Sequence, residues 1–178
     1  MTSHTTILNY TLWFIGLLLM QVLVFNRIHF LGYATPMPFI YFLLILHNET
    51  PRWLYIILAF TLGISLDITA NSIGECAAVT TFIGLVTPHF LDAFKPAERE
   101  EEAFVPSAIT MKWGGFISYI TVCTIIFCTL FFIIENFSFF HITDLLIDIA
   151  SSSAITILII CAIERVRISA LRKSQVHP

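Results

Sequence analysis

The chain has 178 residues, of which 57% are hydrophobic and only 12% charged, with 17 phenylalanines and a formal net charge of −3. A soluble domain of this length is nearer half apolar and a quarter charged; here the charges also cluster, which is the composition of an integral membrane protein. The acidic balance gives nucleic-acid binding no electrostatic support, and residues 1–178 leave room for one helical membrane domain but not for a separate soluble one.

Six membrane-spanning helices fit the apolar runs. The first covers about Ile7 to Phe25; with no basic segment before it and no small-residue cleavage pattern after it, it reads as a retained helix. The second, about Pro38 to Leu46, is short and preceded by prolines that disfavour a helix interior. The third covers Trp53 to about Ile68, the fourth about Ile73 to Leu91, the fifth Trp113 to about Ile134 and the sixth about Ile142 to Ile163. A full span needs about 20 residues, so five spans plus a re-entrant second segment is the alternative. Ser72-Ile73-Gly74-Glu75 has the form of a capping box, in which Ser72 accepts from the Glu75 amide and Glu75 reaches back. Cys76, Cys123, Cys128 and Cys161 lie in apolar runs without a CxxC pair and read as buried free thiols.

Lys and Arg set the orientation. With a cytoplasmic N-terminus, the inside segments hold Arg52, Lys95, Arg99, Lys112, Arg165, Arg167, Arg172 and Lys173, and the outside holds only Arg27. The positive-inside rule therefore predicts both ends in the cytoplasm, with a cytoplasmic loop over about 92–112 and a basic cytoplasmic tail over about 164–178. In that loop Glu100, Glu101 and Glu102 form either a solvated connector or a docking site for a basic partner patch.

The outer half is acidic. Asp67 lies 14 residues beyond Trp53, roughly 21 Å along the third helix, well past the midplane of a core about 30 Å thick. Asp148 lies at similar depth on the sixth helix, Asp144 is one turn above it, and Glu75 and Glu135 sit at the outer boundary. Charges inside a membrane normally face a cavity or a partner. Asp67, Glu75, Asp144, Asp148 and Arg27 are thus the candidates for an outer polar cavity or partner surface, with Asp67 expected near Arg27 or facing a cavity that Asp148 also lines. The simpler reading is that Asp144 sits in a helix first turn, where the dipole favours it, and that Glu75 only caps. Asp67, at a helix C-terminal end, gets no such help.

Small residues crowd the fourth helix around Gly74 to Gly84, and Ala150 to Ala154 reads ASSSA on the sixth; both patterns permit close helix packing. The histidines are scattered over helix ends, and HExxH, GxSxG and Walker A patterns are missing. No catalytic set, cofactor or metal site is expected.

The stretches 31-LGYATPMPFIYFLLIL-46, 50-TPRWL-54 and 62-LGISLDITANSIGECAAVTTF-82, followed by an acidic loop, FVPS at 104–107 and FSFF at 137–140, resemble the rod shape-determining membrane protein family MreD over nearly the whole chain. The most specific feature is the G-x-x-x-D, then G, spacing of Gly63, Asp67 and Gly74. This chain departs from many relatives in carrying Glu75 and Cys76 after Gly74. The resemblance implies a non-enzymatic scaffold of the cell-elongation machinery in the bacterial inner membrane. It implies association with MreC and, through it, with MreB, RodA and penicillin-binding protein 2. It also implies a six-helix fold similar to the S components of energy-coupling-factor transporters. Those components share the glycine–aspartate spacing loosely, and a substrate-binding S component is the alternative function.

Overall fold

The computed structural model describes residues 2–24, 35–72, 74–96, 103–136 and 142–176; Arg27, His29, Glu100, Glu101, Glu102 and His141 lie outside them. All regular structure among the described residues is helical, with no strand: α1 (Thr2–Leu23), a 3-10 turn (Pro38–Ile40) leading into α2 (Tyr41–Leu44), α3 (Arg52–Ala70), α4 (Glu75–Phe94), α5 (Lys112–Asn136) and α6 (Ile142–Val176). Four of these, α3 to α6, are long and apolar enough to cross a membrane, and α1 contributes a shorter apolar stretch, Tyr10–Leu23. The protein is an all-α polytopic membrane protein. Large apolar side chains stand exposed along its long helices, among them Leu12 and Leu19 on α1, Ile57 and Ile64 on α3, and Leu158 on α6, as lipid rather than water requires.

The helices sort the charges to two ends. Arg52, Lys95, Lys112, Arg165 and Arg167 lie at one, the basic end; Glu75, Glu135 and Asp144 lie at the other, the acidic end. All three tryptophans belong to the basic end: Trp53 and Trp113 open α3 and α5, and Trp13 packs edge-on against Tyr41, with centroids 5.8 Å apart. Trp113 also lies under the Arg165 guanidinium, 5.3 Å from its ring centre. Such aromatic belts mark a membrane–water boundary.

The second hydrophobic segment is not a helix of membrane length. It crosses as broken, irregular chain: no regular structure at 35–37, one 3-10 turn, one α-turn, then a bend. Pro36 and Pro38 explain why, since each removes an amide from any regular ladder. Residues 36–46 are all buried, and non-helical backbone at membrane depth is tolerated only when protein covers it and satisfies its polar groups. Here the partners are traceable. The Thr35 amide donates to Ser152 Oγ and the Met37 amide to Thr156 Oγ1, each at 3.0 Å. The Pro36 carbonyl accepts from Gln21 at 3.1 Å. The Leu44 and Leu46 carbonyls accept from Tyr119 and Tyr55 hydroxyls at 3.4 and 3.2 Å. The segment thus runs from the acidic to the basic end through the middle of the bundle, alongside α6.

Two glycines set the α3–α4 spacing. A Cβ at Gly63 would stand 2.4 Å from the Ala77 Cα and 2.2 Å from Thr80 Oγ1, and one at Gly84 would stand 2.6 Å from the Ala59 Cβ. The two backbones therefore approach as closely as small residues allow. α6 does not stop at Ile163 but continues to Val176, 35 residues or about 52 Å. The segment expected as a basic tail continues α6 as a helix. In the connection between α4 and α5, Phe104, Ser107, Ala108 and Met111 are buried, so this part packs as a plug against the basic end; Glu100, Glu101 and Glu102, the connector or docking candidates, lie outside the described residues.

Candidate functional site

The turn from α3 to α4 is built around Asp67. Asn71, in left-handed conformation (φ 57°), ends α3, and Gly74 (φ 81°) precedes α4. Among the described residues, Gly74 is the one glycine whose backbone angle disfavours any side chain. Asp67 is buried. Its Oδ1 accepts from the Cys76 amide at 3.0 Å, its Oδ2 from the Ala77 amide at 2.8 Å, and Ser72 donates its hydroxyl to Oδ1. The first turn of α4, whose amides have no partner within their own helix, is thereby capped by a carboxylate from the preceding helix.

This overturns two expectations. Ser72 does not accept from Glu75; the capping box is replaced by a cap from Asp67, with Ser72 supporting it. Asp67 does receive help from a helix dipole, that of α4, because the tight turn folds the α4 N-terminus back over the α3 C-terminus. A negative charge there is favoured, and bonds from amides to a carboxylate are stronger than neutral ones.

Beside this cap lies a cavity of about 410 Å³ open toward the acidic end. Gln21, Thr35, Ser72, Glu75, Cys76 and Glu135 give it polar walls, with Phe39 and Phe131 behind them. The acidic cavity therefore exists, but it brings together Glu75 and Glu135 rather than the aspartates. Asp67 lies beneath it with both oxygens committed to amides, and Asp148 does not line it. Asp144 is exposed in the first turn of α6, and Asp148 is half-buried one turn on. Gly63 and Gly74 serve the same unit as Asp67, one by close packing and the other by its backbone angle.

A second polar centre, at the basic end, escaped the sequence reading. Glu164 is 0% exposed. It accepts from the Tyr41 hydroxyl, from the Ala108 amide at 2.9 Å and from Arg167 Nη1 at 3.2 Å; Arg167 Nη1 also donates to the Tyr41 oxygen at 3.2 Å. The carboxylate thus ties the broken crossing, the plug and α6 together. Among the basic residues of 164–173 it reads as part of a charged tail. The signal that finds it is periodicity: Ser152, Thr156, Ile160, Glu164 and Ile168 recur every fourth residue, and all five are buried.

Both buried carboxylates are held by backbone amides and by hydroxyls, so their chemistry here is architectural. No family model matches this chain, and neither a curated protein nor a solved structure is significantly similar to it.

Proposed function

We propose that this chain is a non-enzymatic scaffold of the cell-elongation machinery in the bacterial cytoplasmic membrane, of the MreD kind, acting beside MreC. The observation that carries the reading is that the residues of the resembling stretch work as one structural unit: Gly63 seats α4, Asp67 caps it, and Gly74 turns the chain between them. A motif devoted to fixing a helix pair belongs to a platform whose shape is its product. The same holds for Glu164, which fastens three segments at one point. With the basic end in the cytoplasm, the plug and the α6 extension face the cytoskeletal side, and the acidic cavity faces outward.

The cavity of about 410 Å³ favours a second reading, a small-molecule-binding S component, because it is open, half polar and placed at the outer face. One purification in mild detergent separates the two. A scaffold carries MreC with it, and its deletion rounds the cells. An S component carries an ATPase module and a small molecule identifiable by mass spectrometry. Recovery of neither MreC nor a shape defect would end the scaffold reading.

A further inference from the structure

The plug is a unit closed on itself. The Ser107 amide donates to Thr110 Oγ1 at 3.0 Å and the Thr110 amide to Ser107 Oγ at 3.2 Å. Thr110 Oγ1 donates to the Val105 carbonyl at 2.9 Å, and the Met111 amide to the Ser107 carbonyl at 3.0 Å. The unit is clipped to other elements at Asn48 and at Glu164. Asn48 and Phe104 exchange two bonds, from the Phe104 amide to Asn48 Oδ1 at 2.9 Å and from the Asn48 amide to the Phe104 carbonyl at 3.1 Å. The Ala108 amide reaches Glu164 Oε1 at 2.9 Å, whereas Tyr41 and Arg167 both bind Oε2. Glu164 therefore keeps two partners when Ala108 leaves.

α5 meets the plug through a weak first turn. Lys112 has φ 59°, the left-handed region that disfavours an L side chain. Asn71, the other such residue among those described, is of a type that tolerates it. Gly114 and Gly115 follow, and no positive φ requires either. Packing does not require them: a Cβ at Gly114 would meet nothing within 4 Å, and one at Gly115 only the Met111 Cβ at 3.9 Å. Each still weakens a helix relative to alanine. Trp113, under Arg165, holds this turn against α6.

We propose that residues 104–111 are a latch that swings off the basic end as one body, about a hinge at residues 112–115. Shut, the latch buries Phe104, Ala108 and Met111, and Val105 lines a cavity with Ile45 and Arg167. Open, it bares the basic end of the broken crossing and one Glu164 oxygen to water, which replaces the Ala108 amide as donor. The internal bonds of 105–111 travel with the latch, and the Glu164–Tyr41–Arg167 contact stays behind. A left-handed lysine and two glycines that neither packing nor backbone angle demands are what a turn built to unwind requires, since local opening is drawn from elements of low stability.

The test is hydrogen exchange of the full chain in mild detergent, read by mass spectrometry. Peptides from 104–111 are expected to exchange by local opening, faster than those from 119–132 in α5. Gly114→Ala with Gly115→Ala stiffens the hinge. Each replacement shifts a helix equilibrium roughly fivefold, so together they slow exchange in 104–111 about 20-fold. Asn48→Ala removes one clip and speeds it. Gly16→Ala, also into open space but on α1, leaves 104–111 at the wild-type rate, which separates the hinge from a general gain in helix stability. Exchange in wild-type 104–111 as slow as in 119–132 overturns the proposal. So does a wild-type rate there in the doubly substituted protein, with protection of 119–132 intact to show that it is folded.

Discussion

Asp67 and Ala77 are ten residues apart in the chain and 2.8 Å apart in space, carboxylate oxygen to amide nitrogen. That contact converts the end of one membrane helix into the cap of the next. It makes the α3–α4 pair a hairpin fixed by a charge rather than by loop length. Because the site is buried, both partners lose water on folding, and neither finds a substitute if the other is removed.

Asp67→Asn is therefore not silent. Asparagine offers one acceptor where the carboxylate offers two and turns an N–H₂ group toward a helix amide. The expected cost is about 1–3 kcal/mol, seen as a lower unfolding midpoint in detergent with membrane insertion retained. Asp67→Ala, which removes both acceptors, is expected to cost more. A midpoint unchanged in Asp67→Asn would show that the cap is dispensable.

Gly63→Ala tests the packing side of the same unit. Its Cβ would lie 2.4 Å from the Ala77 Cα and 2.8 Å from the Ala77 nitrogen, backbone that cannot rotate away. Overpacking of this kind costs about 1–3 kcal/mol, sometimes more, and here it also draws Asp67 off the α4 amides. Gly16→Ala, into open space, is the matched control and should leave the unfolding midpoint where it was.

Glu164→Gln should release the plug. Removing one partner of a buried pair costs about 3–5 kcal/mol, and it weakens the bond from the Ala108 amide that pins residues 104–111. Limited trypsin digestion would report this as faster cleavage between Lys95 and Lys112. Tyr41→Phe removes only the hydroxyl and should give a smaller acceleration in the same assay.

Orientation is checked by single cysteines in a chain freed of its own four. With the basic residues inside, labels at residues 72 and 138 are reached from outside. Labels at residue 100 and at the C-terminus are reached from the cytoplasm. Residue 138 accessible from the cytoplasm alone would reverse the assignment of ends.

The long helices were legible because lipid leaves an apolar run of fixed length. The expected starts at Trp53 and Trp113 fall within one residue of the observed Arg52 and Lys112. The broken crossing was legible only as an anomaly. A run buried on every side has no amphipathic period, so Pro36 and Pro38 said that it was irregular without saying how it is held. Asp67 likewise stood out as a charge at depth, but depth arithmetic follows one helix axis and does not register the next helix folding back over it. The acidic cavity was expected from the charges of the acidic end. Its membership was not, because side-chain direction at Asp148 and Glu135 depends on helix rotation, which bulk hydropathy leaves open.

The hydroxyls of Ser152 and Thr156 lie 117 and 119 residues downstream of the amides they satisfy. Residues 35–46 thus leave the ribosome long before their partners exist. Until α6 arrives, the Thr35 and Met37 amides have no acceptor in hydrocarbon, and each orphaned group there costs several kcal/mol. The segment must then wait at the translocon or near the headgroups, entering the bundle only when the last helix is delivered. Assembly is in that sense sealed from its C-terminal end. A chain cut short ahead of Ser152 is expected to be degraded rather than to persist as a shorter bundle, which pulse-labelling of truncated chains would read directly.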